Sequence, residues 1–137
     1  MRHRLLILLA VTALALVATG CSSPPDGSWT LVSFANPEVE GSVPLPRPVT
    51  LAIEGDVASG SSGCNTYSGK VEVAGGLLRF SSVAVTAMYC DNQAVMATEA
   101  RYLEVLVAHD WRFTTDGGDL RLEADDDTRL VLEFGTG

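Results

Sequence analysis

Basic charge is scarce in this 137-residue chain: nine Lys and Arg stand against seventeen Asp and Glu, a formal charge of −8. An acidic balance without a basic patch argues against nucleic acid and anionic lipid headgroups as partners. Histidine is almost missing, two in all, and only His109 lies beyond the first twenty residues. There is no internal repeat and no low-complexity tract. Nor is there an apolar run of the roughly 20 residues needed to span a bilayer. The longest, Leu5 to Val17, covers thirteen residues and is interrupted by Thr12.

That short run has the layout of a targeting segment. Met1-Arg2-His3-Arg4 is a basic start, the apolar stretch follows, and Ala18-Thr19-Gly20 sets small side chains before Cys21. Ala18-Thr19-Gly20-Cys21 resembles a bacterial lipobox, with Ala18 where leucine is usual. The resemblance implies cleavage before Cys21 and diacylation of its thiol, for instance by palmitate. Two acyl chains hold a protein stably at a membrane where one does not. Ordinary secretion with cleavage near Gly20 and a retained transmembrane anchor are the alternatives. Removing residues 1–20 takes away Arg2 and Arg4 and no acid, moving the formal charge from −8 to −10. Residues 21–27 then read as a polar, proline-bearing linker and residues 28–137 as one domain, large enough for a single core.

Lipidation of Cys21 leaves Cys64 and Cys90. Outside the cytoplasm such a pair can oxidise, and closing a loop of about 26 residues stabilises a fold by roughly 3–4 kcal/mol in the chain-entropy picture. The alternative is a pair of buried thiols.

From Ser28 onward the pattern is mainly period two. Trp29, Leu31 and Ser33 alternate with Thr30, Val32 and Phe34, and a proline-punctuated loop covers 36–47. Further strands are expected at Val49–Glu54, Val57–Gly60, Tyr67–Val73, Leu77–Val85, Trp111–Thr115, Leu120–Ala124 and Leu130–Phe134. The turns between them are built from Gly and Asp, which suit tight reversals. Between Asp91 and His109 the rhythm changes. Val95, Met96, Ala100, Leu103, Leu106 and Val107 recur at helical spacing, Asp91 or Asn92 can cap the start, and Glu99, Arg101 and Glu104 fall on the remaining surface. The expectation is an α+β, mainly β domain of about seven to eight antiparallel strands with one packed amphipathic helix of about four turns.

Several segments resemble the META domain, the family of HslJ-like envelope proteins. They are Trp29-Thr30-Leu31, Gly63-Cys64-Asn65-Thr66-Tyr67-Ser68-Gly69 and Thr86-Ala87-Met88-Tyr89-Cys90, followed by Glu99, Tyr102-Leu103, Gly118-Asp119-Leu120 and Leu130-Val131-Leu132. The resemblance implies an antiparallel sheet curved into an open barrel-like shell with a helix against it. It also implies links to heat shock, antibiotic tolerance and, in some parasites, motility or virulence, and it carries no catalytic residue set. Gly63 and Gly69 suit unusual backbone conformations, and Asn65 can satisfy turn amides. If Cys64 and Cys90 are bonded, the motif is a staple. The competing reading makes Asn65, Tyr67, Met88 and Tyr89 a binding surface.

Catalytic chemistry finds little to use. His109 sits beside Asp110 at a helix end, where the dipole favours it, and Gly60-Ser61-Ser62-Gly63 lacks the setting of a nucleophile elbow. Asp125-Asp126-Asp127 lacks the spaced ligands of a calcium loop, and one histidine makes a poor zinc site. Cys64 and Cys90 lie too far apart for a Cys-x-x-Cys redox motif. The expectation is therefore a non-catalytic, monomeric lipoprotein without cofactor or metal. It would be held by its lipid on the extracytoplasmic face of a plasma or outer membrane, binding an unidentified envelope protein or supporting the surface under stress. The alternative is an inhibitor of a secreted enzyme such as lysozyme, whose basic surface an acidic domain complements.

Overall fold

The computed structural model describes residues 23–36, 39–42 and 45–136. The expected targeting segment, Cys21 and Pro44 lie outside the described residues. Nine strands and one helix follow in order: β1 Gly27–Asn36, β2 Val39–Ser42, β3 Thr50–Glu54, β4 Val57–Ser61, β5 Thr66–Ala74, β6 Leu77–Val85, α1 Gln93–Ala108, β7 Asp110–Asp116, β8 Asp119–Ala124 and β9 Val131–Thr136. All strand pairs are antiparallel. Eight of the strands form a ring, β1-β3-β4-β5-β6-β7-β8-β9, closed by pairing of β1 with β9. Among the described residues the fold is mainly β, with a barrel-like sheet and a single packed helix, as expected. No helix among the described residues is long and apolar enough to cross a membrane.

Three details differ from the sequence pattern. The loop expected over 36–47 contains β2, which pairs with the upper part of β1 outside the ring. In β1 the alternation slips at Val32. Leu31 pairs with Phe134 and Ser33 with Glu133, so Val32 is an extra residue on the β1 side. Such a bulge inverts the facing of everything beyond it. Val32 is 61% exposed, and Phe34 is buried in place of Ser33. In α1 the buried stripe is Val95, Thr98, Glu99, Tyr102, Val105 and Leu106. Ala100 and Val107 face solvent, and Glu99 does not.

The helix begins as its sequence suggests. Asn92 is the cap, its side chain accepting from the amides of Ala94 at 2.9 Å and Val95 at 3.3 Å. At the other end the Trp111 indole donates to the Leu106 carbonyl at 3.0 Å, satisfying one of the last helical carbonyls. The ring is narrowest in pairing between β6 and β7, where only Leu78–Trp111 and Arg79–Asp110 match. Beyond Arg79 the strands part, and α1 packs against β6. Trp111, Tyr102, Phe34 and Phe134, all buried, fill the interior between helix and sheet.

The ring has two poles. The entry of β1 lies at one of them, with the Asp26 carboxylate accepting from the Gly55 amide at 2.7 Å and the Trp29 indole donating to Gly118 at 2.8 Å. β4 rises from the Gly55-Asp56 turn to the corner at 62–65, so that corner belongs to the opposite pole, one strand length of roughly 17 Å away.

Candidate functional site

The two motif segments and the helix meet at that corner. Ser62 and Asn65 close it through an amide–carbonyl bond of 2.8 Å, and Gly63 between them has φ +115°, a conformation that side chains resist. Glu99 lies one turn from Val95 and from Tyr102 on the buried face of α1, which aims its carboxylate at the corner. Its Oε2 accepts from Ser62 Oγ at 2.6 Å, the Asn65 amide at 2.7 Å and the Cys64 amide at 3.2 Å. Its Oε1 accepts from Asn65 Nδ2 at 2.6 Å. Glu99 is only 6% exposed. Burial alone would raise its pKa, but the donors from Ser62, Asn65 and Cys64 outweigh burial and hold the carboxyl below its ordinary value.

Asn65 carries the connection onward. Its Oδ1 accepts from the Met88 amide at 2.6 Å and from Thr86 Oγ1 at 2.8 Å, and its Nδ2 reaches the Met88 carbonyl at 3.2 Å. Thr86 Oγ1 in turn accepts from the Thr66 amide at 3.1 Å. One amide side chain thus joins the corner, the β6–α1 connection and the helix, using both its donor and its acceptor sides. A disulfide between Cys64 and Cys90, with Cα atoms 6.0 Å apart, spans the same two segments.

Below the corner, Tyr67 donates to the Thr50 carbonyl at 2.8 Å and accepts from the Tyr102 hydroxyl at 2.7 Å. The rings meet edge-on with centroids 5.8 Å apart. Burial pushes both phenols well above their ordinary pKa, so both stay neutral. Gly69 sits at an irregularity in the β5–β6 pairing. A Cβ there would lie 2.8 Å from Val83 Cγ2 and 2.9 Å from the Ser81 carbonyl, which only glycine avoids.

The structure therefore divides the candidate residues. Gly63, Cys64, Asn65, Tyr67 and Gly69 shape the corner, with Asn65 and Tyr67 buried. Met88 is 63% exposed and Tyr89 76%. They stand outward beside the disulfide and do not share a surface with Asn65 and Tyr67. Glu99 and Ser62, the buried polar centre, were missed by the residue pattern, which set Glu99 among the surface acids. The available signal was its place between Val95 and Tyr102 in a mainly apolar stripe.

Other candidates for chemistry are dispersed. His109 Nδ1 lies 2.7 Å from Asp126 Oδ2, and Asp126 also receives the Thr128 amide and hydroxyl, which chiefly hold its carboxyl below the ordinary range. Ser62 is fully buried and bonded to Glu99, and lies in a different segment from His109. Among the described residues no three His, Cys, Asp or Glu side chains converge in a way that could hold a metal ion. A concavity of about 430 Å³ lies away from the motif, along Val32, Asp116, Arg121 and Glu133.

With this geometry in view, comparison with known proteins is decisive on family. The META domain model matches residues 22–134. The chain belongs to the META domain family. A protein from Burkholderia xenovorans, solved by NMR, is 27% identical, with a TM-score of 0.66 and 82% of each chain covered. A DUF4847 family protein from Bacteroides vulgatus, solved by crystallography, shares the fold at 14% identity, with a TM-score of 0.57 over 82% of this chain and 93% of that one. A search of the curated proteins finds no match. In this META domain the Gly-Cys-Asn and Met-Tyr-Cys segments are two sides of one corner, locked from within by a helix carboxylate.

Proposed function

We propose that this META domain is a non-catalytic binding module tethered by lipid on Cys21 to the extracytoplasmic face of a membrane, and that it engages an envelope protein through Met88 and Tyr89. The observation that carries the reading is how the motif spends its side chains. The polar groups of Ser62, Asn65 and Glu99 are bonded to one another or to backbone. Met88 and Tyr89 alone among the motif's large side chains stand in solvent. An exposed aromatic beside an exposed methionine on a rigid base suits an anchor for a protein partner.

The place where the chain enters the domain supports the same reading. A linker from Cys21 to Asp26 reaches at most roughly 20 Å, and it enters at the pole opposite the Met88–Tyr89 corner. A domain held that way offers the corner to the space beyond its own membrane.

The test is a photo-crosslinking side chain placed at position 89 in producing cells, with the same group at the exposed Lys70 as control, and mass spectrometry of the products. A protein captured from 89 and not from 70 is the expected result. Equal or no capture from both positions overturns the binding surface. Capture of a basic secreted hydrolase would favour the inhibitor reading. Labelled palmitate incorporated into the wild type and lost in Cys21→Ser is expected if the tether is real; label in neither removes it.

A further inference from the structure

We infer that the Cys64–Cys90 bond is a redox-sensitive lock on the Tyr89 segment, and not the staple on which the corner depends. Consider what holds each side when the sulfurs part. The Cys64 side keeps its amide and that of Asn65 on the Glu99 carboxylate. Met88 keeps both backbone groups on the Asn65 side chain. Asn92 remains the cap of α1. Between those fixed points, Tyr89 to Asp91 are tied at Cys90, by the disulfide and by the Arg47 guanidinium 3.6 Å from its sulfur.

Opening the bond thus frees a short segment and leaves its surroundings anchored. Both cysteines are half-buried, between exposed neighbours on the Cys90 side, so a reductant can approach. The reaction is thiol–disulfide exchange with a dithiol. One reductant thiolate attacks a sulfur as the S–S bond breaks, giving a mixed disulfide. The second reductant thiol displaces it, leaving two cysteine thiols and an oxidised reductant, with two electrons and two protons passed to the protein. The oxidised state holds Tyr89 in one place; the reduced state lets it move without unfolding the domain.

The test is backbone NMR relaxation on the purified domain, oxidised and then treated with dithiothreitol, alongside a Cys64→Ser, Cys90→Ser double variant. In the reduced form, order parameters for Tyr89 to Asp91 are expected to fall from about 0.85 to below about 0.6, while Cys64, Asn65 and Met88 stay rigid. The double variant should match the reduced wild type. Loss of order at Asn65 and Met88 together with Tyr89, or unfolding of the whole domain, overturns the inference in favour of a staple. An unchanged Tyr89 segment overturns it as well. The measurement uses no partner, so its outcome is separate from that of the proposed binding function.

Discussion

At the scale of single residues, Glu99 governs the corner. A buried carboxylate accepting four hydrogen bonds is favoured in its ionised form over the neutral one. Its folded-state pKa lies below the ordinary value of 4.5. The stability it contributes is therefore present above the unfolded-state value and is lost as pH falls through the lower folded-state value. Urea unfolding followed from pH 7 down to pH 3 is expected to show this loss in the wild type, and less of it in Glu99→Gln. At pH 7 the same substitution is expected to cost roughly 1–3 kcal/mol, since an amide nitrogen would confront donors from Ser62 or Asn65. A variant as stable as wild type, with an unchanged pH profile, would place the carboxylate outside the corner's energetics.

At the scale of elements, β1 is where alternation misleads. Read as a period of two, Trp29, Leu31 and Ser33 share a face; the bulge at Val32 gives the inner position to Phe34 instead. Phe34→Ala is expected to cost about 3–5 kcal/mol, and Val32→Thr to change stability by less than about 0.5 kcal/mol. Equal costs in a denaturant titration would show that the alternation runs unbroken. The strands, hairpin turns and helix limits were legible because each depends on neighbours in sequence. The bulge, β2 and the rotation of the buried helical stripe were not, because each depends on what the element meets in space. Glu99 is a carboxylate that its own hydropathy would assign to solvent, and it is buried because its partners lie 34 to 37 residues away. The turn at Gly63 and the pairing of the two cysteines were readable from turn chemistry and cysteine number, and the reach of Asn65 to Thr86 and Met88 was not. The separation of Met88 and Tyr89 from Asn65 and Tyr67 needed the fold.

At the scale of the whole molecule, an acidic chain closes a ring whose β6–β7 seam has two residue pairs. The Arg79–Asp110 ion pair at that seam is exposed on both sides, and such pairs contribute little. The seam is held instead by Trp111 and the helix packed behind it. Arg79→Ala is expected to lower stability by no more than about 1 kcal/mol, an effect that shrinks as salt screens it. A loss of several kcal/mol that persists at high salt would mean that the ring closes through charge.

The most direct measurement is a double-mutant cycle between Glu99 and Asn65, read by equilibrium urea unfolding at pH 7 with the disulfide intact. Bonds that tie helix and corner as one unit should make Glu99→Gln and Asn65→Ala non-additive, with a coupling of roughly 1–3 kcal/mol. Additive effects within about 0.5 kcal/mol would contradict the internal lock.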